Sequence, residues 1–154
     1  MLKFIVMSYE ATRKPSMALP YGHAISLDQA RLVMQAAEQE ACNNHWPMVI
    51  CIVDTAGHTV MLHRMDQSQN GSINIAQQKA ETAVNFRRST KAFQDVLESG
   101  GVGLRVLSMQ GVIAMEGGEL LVADNKIIGA IGVSGMLPVQ DTQVARAGAD
   151  YLCR

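Results

Sequence analysis

The sequence predicts an α+β domain built on an antiparallel sheet. Apolar, β-branched runs at 48–53, 119–123 and 127–133 are joined to neighbouring strand-like segments by tight turns, and strands joined this way run antiparallel. Stretches beginning near residues 26, 72 and 138 repeat their apolar residues at helical spacing. Helices that flank and interrupt hairpins give a layered α+β domain.

Residues 1–25 are weakly patterned. A short strand is expected over 3–7, and Arg13-Lys14-Pro15-Ser16 and Pro20-Tyr21-Gly22 then mark a flexible N-terminal arm. The first helix begins at Ser26, which forms a capping-box pattern with Gln29. Ala30, Val33, Met34, Ala37 and Ala41 fall on one face of that helix, and it stops before Trp46-Pro47. Met48–Val53 reads as a buried strand, Asp54-Thr55-Ala56-Gly57 as a turn and His58–Met65 as the returning strand. In that strand regular alternation points Val60, Leu62 and Arg64 one way, with Thr59, Met61, His63 and Met65 opposite.

A second helix follows with Ser72 as its cap, and Thr90 caps a shorter third helix to Glu98, which Gly100-Gly101-Val102-Gly103 ends. Val112–Met115, Glu119–Ala123 and Ile127–Val133 complete about five strands, and Pro138–Leu152 forms the closing helix.

The chain's 154 residues suit a single domain. It is 48% hydrophobic and 18% charged, with net charge −1. That balance offers no basic field for a phosphate backbone, so nucleic acid is not an expected partner. No apolar run approaches the roughly 18–20 residues that span a membrane. The Met1–Met7 start is too short for a signal segment and lacks an Ala-x-Ala site, so a cytoplasmic location is expected. Three widely spaced cysteines without Cys-x-x-Cys pairing read as reduced structural thiols. Ten methionines fill irregular gaps and suit adaptable apolar pockets.

Few motifs carry chemistry. His45 lies at a helix end. His58 and His63 are separated by an odd number of residues, so a regular strand puts them on opposite faces. His23, in an irregular segment, can reach across a pocket or onto a neighbouring subunit as a ligand. No His-Glu-x-x-His or paired Cys-x-x-Cys marks a zinc site. Asp54 and Asp66 bracket the hairpin, where an acid bonds its own backbone. Lys79 lies near the Ala76, Ala80 and Ala83 stripe with a part-buried stem, and Arg87 and Arg88 end the same helix as caps or anion contacts. Gly132-Val133-Ser134-Gly135-Met136 lacks the final glycine of a nucleophile elbow, and Gly100-Gly101-Val102-Gly103 lacks the Lys-Ser/Thr of a phosphate loop.

Taken together, Ser26–Ala30, Ile52–His58, Arg64-Met65-Asp66, Lys79–Ala83, Phe86-Arg87, Gly129–Gly135 and Asp141–Gly148 resemble the GlcG/HbpS family, which includes the C-terminal domain of PduO-type proteins. The resemblance spans about residues 26–152 and assigns 26–154 to a single domain. It implies a profilin-like α-β-α arrangement around an antiparallel sheet of about five strands, and a homo-oligomer. It further implies an accessory protein that binds a tetrapyrrole, heme before corrinoid, in association with glycolate or diol use. No catalytic residue is assigned.

Heme needs an apolar slot, an axial ligand and cations for its propionates. His23 is the candidate axial ligand. Arg64, Arg87 and Arg88 are candidate propionate partners, and Lys79, Ser134 and Gly135 complete the candidate contacts. Gly117-Gly118-Glu119-Leu120-Leu121 departs from the family's Gly-Gly-x-Pro-Ile pattern. Two other readings stand beside heme binding: a small-molecule enzyme of glycolate or diol catabolism with a pocket near Asp54, Lys79 and Ser134, and a ligand-free assembly subunit.

Overall fold

A computed structural model describes residues 18–153. The strand expected over 3–7 lies outside them. Helix α1 spans Leu27–Asn43, strands β1 and β2 span Val49–Val53 and Thr59–Arg64, and helices α2 and α3 span Ser72–Phe86 and Thr90–Glu98. A 3-10 segment over Gly101–Ser108 leads to β3 at Gly118–Ala123 and β4 at Lys126–Ser134, and α4 spans Pro138–Ala149 before a last 3-10 turn, Asp150–Cys153.

The antiparallel sheet has four strands in the order β2-β1-β4-β3. The fifth expected strand, over 112–115, is not formed. That apolar run has no strand partner; the Ile113 amide donates to Thr82 Oγ1 instead.

Two apolar layers enclose the sheet. Met34, Ala37 and Ala41 of α1 and Val144 and Ala145 of α4 pack with Ile50, Ile52, Ile131 and Val133 on one face. Ala76, Ala80, Ala83 and Val84 of α2 pack with Val49, Cys51, Val53 and Ala130 on the other. This is the expected α-β-α layering. β1 is buried on both sides, so its continuous apolar run is what the architecture requires.

The alanine stripe of α2 lets the helix lie almost on the backbone of β4. A Cβ added at Gly132 would overlap the Ala76 carbonyl and lie 2.5 Å from the Ala80 nitrogen. Glycine is therefore required there by close approach.

Two bulges interrupt the ladders. The β1–β2 register shifts between Ile52 and Val53, which leaves Val60 as the extra residue. Val60 and Met61 consequently both pack toward the α1 layer while Leu62 faces α2, so the simple alternation expected for β2 holds only beyond Val60. The β3–β4 register shifts between Leu121 and Val122, which leaves Ile128 extra on β4.

The described part of the expected N-terminal arm runs alongside the start of β4. Ile127 N donates to Pro20 O at 2.9 Å, Gly22 N to Ile127 O at 2.8 Å and Ile25 N to Ile128 O at 2.7 Å. Helix starts also differ in detail. The Ser26–Gln29 box forms as expected. Ser72 lies inside α2, whose cap is Gly71, and Thr90 lies inside α3, whose cap is Ser89. The Thr90 hydroxyl accepts from Gly118 N at 2.9 Å, a tertiary bond that local spacing does not reveal.

Candidate functional site

Strand β4 separates the candidate residues into two groups. From Ile127 to Ser134 is seven residue steps, roughly 23 Å of extended chain. Pairing of Val49 with both Ser134 and Arg64 places Ser134, Gly135 and Arg64 at one end. Bonds from Gly22 and Ile25 to Ile127 and Ile128 place His23 at the other. Helix α2 runs antiparallel to β4: Ser72 meets Ser134 at 3.0 Å, whereas Tyr21 Oη, beside Ile127, donates to Val84 O at 2.7 Å. Arg87, just after α2, therefore shares the His23 end.

The Ser134 end is closed. β3 begins at Gly118, opposite Gly132, so its ladder stops before the Val133 carbonyl. Lys79 Nζ fills that gap and donates to Val133 O and to Asp141 Oδ2, both at 2.8 Å. The pair is buried, with side chains 0% and 3% exposed. Asp141 Oδ1 also accepts from Met136 N at 3.0 Å.

Gly117, with φ of 118°, seals the turn above the pair; a Cβ there would lie 2.8 Å from Lys79 Nζ and from Val133 O. Burial lowers the Lys79 ammonium pKa and raises the Asp141 carboxyl pKa, each opposed by the other's charge. The part-buried stem expected for Lys79 is thus a fully buried side chain joining α2 to α4. Ser134 donates to Ser72 Oγ, and Gly135 packs on Pro47 and Met48. Among the described residues no buried side-chain nitrogen or oxygen lacks a hydrogen-bond partner, so nothing polar in this end awaits a ligand.

Arg64 lies at the same end on the exposed edge strand and donates to Asn70 Oδ1 at 2.7 Å and Ser68 O at 3.3 Å. Asp54 lies at the opposite end, where its Oδ1 accepts from Ala56 N at 2.8 Å and His58 N at 2.9 Å. The expected pocket uniting Asp54, Lys79 and Ser134 is therefore not formed: the strand length separates Asp54 from the other two, and all three are engaged in hydrogen bonds within the chain.

The His23 end is open. His23 is exposed, and among the described residues no hydrogen-bond or ion-pair partner meets its imidazole. The backbone bonds on either side hold the residue against the start of β4. The Arg87 guanidinium lies 5.7 Å from the centre of the Tyr21 ring, a cation–π contact beside the same segment. Arg87 itself has φ of 52°, the left-handed C-cap of α2, which turns the chain there.

The other histidines are engaged or remote: His63 Nδ1 meets Glu38 Oε1 at 2.6 Å, and His58 lies 3.7 Å from Asp54. Among the described residues no group of three or more His, Cys, Asp or Glu side chains gathers to hold a metal ion, and no helix is long and apolar enough to cross a membrane. Cys51 is buried, whereas Cys42 is exposed.

The family described as "Haem degrading protein HbpS-like" matches residues 25–150. The chain belongs to the HbpS-like family. Among HbpS-like relatives, it is 34% identical over 128 residues to an uncharacterized 15.0 kDa protein in the dhaT-dhaS intergenic region of Citrobacter freundii, covering 82% of this chain and 90% of that protein. It is 36% identical over 110 residues to Protein GlcG of Escherichia coli K12, covering 71% and 81%. The crystal structure of a PduOC:heme complex superposes with a TM-score of 0.75 at 29% identity, covering 83% of this chain and 94% of that chain.

Sequence reasoning named both members of the open end but not their linkage. Tyr21, the residue that joins the His23 segment to α2, carried no signal beyond its place in a Pro-Tyr-Gly turn.

Proposed function

We propose that this HbpS-like chain is a heme-binding accessory protein, cytoplasmic and homo-oligomeric, associated with glycolate or diol use. One observation carries the reading: an exposed imidazole without a described partner, on backbone fixed to the sheet, beside a guanidinium fixed over Tyr21. An axial ligand and a propionate contact call for those two groups. His23 would hold the iron and Arg87 a propionate. When bound, the iron supplies redox and ligand-exchange chemistry; the chain supplies position, one basic nitrogen and one fixed positive charge. The heme named in the PduOC complex agrees with this class of ligand. Exposed apolar side chains on the 3-10 segment, Val102 at 79% and Leu107 at 72%, agree with association of copies.

Titration of the purified protein with hemin tests the proposal. The expected result is a saturable Soret band that His23→Ala shifts and weakens, with a smaller loss of affinity in Arg87→Gln. Cob(III)alamin in the same titration should bind more weakly. An unchanged Soret position and affinity in His23→Ala removes the ligand assignment. No saturable hemin binding removes the function.

A further inference from the structure

We infer that the hollow between α3, the 3-10 segment and the end of α2 is a binding site for a small organic carboxylate with an apolar body. It is a cavity of about 220 Å³, and its lining includes Phe86, Phe93, Val96, Met109, Arg88 and Arg105. No acidic residue is in the lining, so two guanidinium charges stand uncompensated there in a chain whose net charge is −1. Charge of one sign on low-dielectric walls focuses the field and selects the opposite charge.

Both arginines are held without being used up. Arg88 Nε donates to Phe86 O at 3.2 Å, and its guanidinium lies 5.6 Å from the centre of the Phe93 ring. Arg105 Nη1 donates to Val102 O at 3.0 Å. A guanidinium has five N–H donors in a planar fork, so each retains donors for a carboxylate. Neither forms an ion pair among the described residues.

The apolar wall is equally defined. Phe86 and Phe93 pack edge to face, with centroids 5.3 Å apart and planes at 77°. Gly103 brings the 3-10 segment so close to α3 that an added Cβ would overlap the Val96 carbonyl. The cavity is smaller than the roughly 300–1,000 Å³ of sites for drug-sized ligands, which limits the ligand to a body near the size of one ring. The acids on α3 lie outside the lining: Asp95 pairs with Lys91, and Glu98 accepts from Gln94.

The carboxylate could belong to a free acid or to the propionate arm of a tetrapyrrole, because Arg88 adjoins Arg87 in sequence. Calorimetry with benzoate as the probe, and benzyl alcohol as its neutral counterpart, tests the site itself. Benzoate should bind saturably at millimolar concentration and benzyl alcohol should not. Arg88→Gln and Arg105→Gln should each weaken benzoate about tenfold or more, the scale expected for one charge-assisted contact. Unchanged melting temperatures in both variants will show that the fold is intact.

Hemin added to the benzoate complex distinguishes the two sources. Displacement, with a weaker Soret response in Arg105→Gln, identifies the propionate; benzoate retained while the Soret band forms identifies a separate acid. Absence of saturable benzoate binding overturns the proposal, as does equal affinity for benzyl alcohol or undiminished binding in both glutamine variants. The benzoate and benzyl alcohol outcomes do not depend on the His23 assignment, which the His23→Ala Soret measurement tests separately.

Discussion

Removal of either partner of the Lys79–Asp141 pair should unfold the domain far more readily than removal of both. Lys79 is fully buried and Asp141 nearly so, and each offers the other its direct ionic contact at 2.8 Å. Asp141→Asn keeps the shape and an oxygen for Met136 N but leaves an ammonium in the core. Lys79→Met leaves a carboxylate there and frees the Val133 carbonyl. Breaking a buried pair from one side costs about 3–5 kcal/mol, a large share of the about 5–15 kcal/mol total for a domain. For a chain of this length that corresponds to a melting temperature lower by roughly 6–20 °C. The burial that lowers the lysine pKa and raises the carboxyl pKa is the same desolvation that makes the ionised pair costly. Lys79→Met with Asp141→Asn should therefore recover most of that loss, falling short of the parent by about 1–3 kcal/mol for the Val133 carbonyl left without its donor. Urea unfolding of the four proteins, analysed as a double-mutant cycle, measures the coupling directly. Additive losses in the double variant, or single losses below about 1 kcal/mol, would refute the reasoning.

Gly132→Ala should cost about 3 kcal/mol or more, or prevent folding, because its Cβ has no space beneath α2; thermal melts or soluble yield will show it. Burial pushes the Cys51 thiol up to about 11 from 9.0. A raised acid pKa stabilises below the unfolded value, so stability should fall as pH rises from about 9 to about 11, by about 1.4 kcal/mol per unit. Cys51→Ala should flatten that part of the stability–pH curve relative to the parent. Under native conditions a thiol reagent should modify exposed Cys42 and leave Cys51 untouched until unfolding. Ser26→Ala removes the hydroxyl that caps α1 and should cost about 0.5–2 kcal/mol in urea unfolding.

The parts of the fold legible in the sequence are those fixed by local pattern. The Ser26–Gln29 box and the stripe from Ala30 to Ala41 define α1 because capping and helical period act within a few residues. β1 is legible because a strand buried on both faces has no polar position. The errors fall where distant contacts decide. Val112–Met115 has strand composition, but Thr82, 31 residues before Ile113, takes the amide that a ladder would need. Val60 changes face because the ladder slips opposite Ile52 and Val53. The candidate residues show the same limit. Lys79 sits near an apolar stripe, which signals burial, yet its partner lies 62 positions away. His23 reads as part of a flexible arm, yet the start of β4 holds its neighbours.

The two ends of β4 divide stability from recognition. At the Ser134 end every buried side-chain nitrogen and oxygen among the described residues is satisfied from within, so a substitution there acts through folding. At the Arg87 end, His23 and the cavity arginines are exposed or incompletely engaged, so their loss removes little internal bonding. The paired Lys79→Met and Asp141→Asn variant should therefore take up hemin with the parent's affinity and Soret position. His23→Ala should melt within about 0.5 kcal/mol of the parent, as expected for a surface substitution, while its spectrum changes. The decisive measurement is hemin affinity set against stability for both variants. A folded Lys79/Asp141 double variant with weakened hemin binding would mean that the closed end contributes to the ligand site, because a change confined to the core cannot alter a contact formed at the opposite end without moving the strand between them.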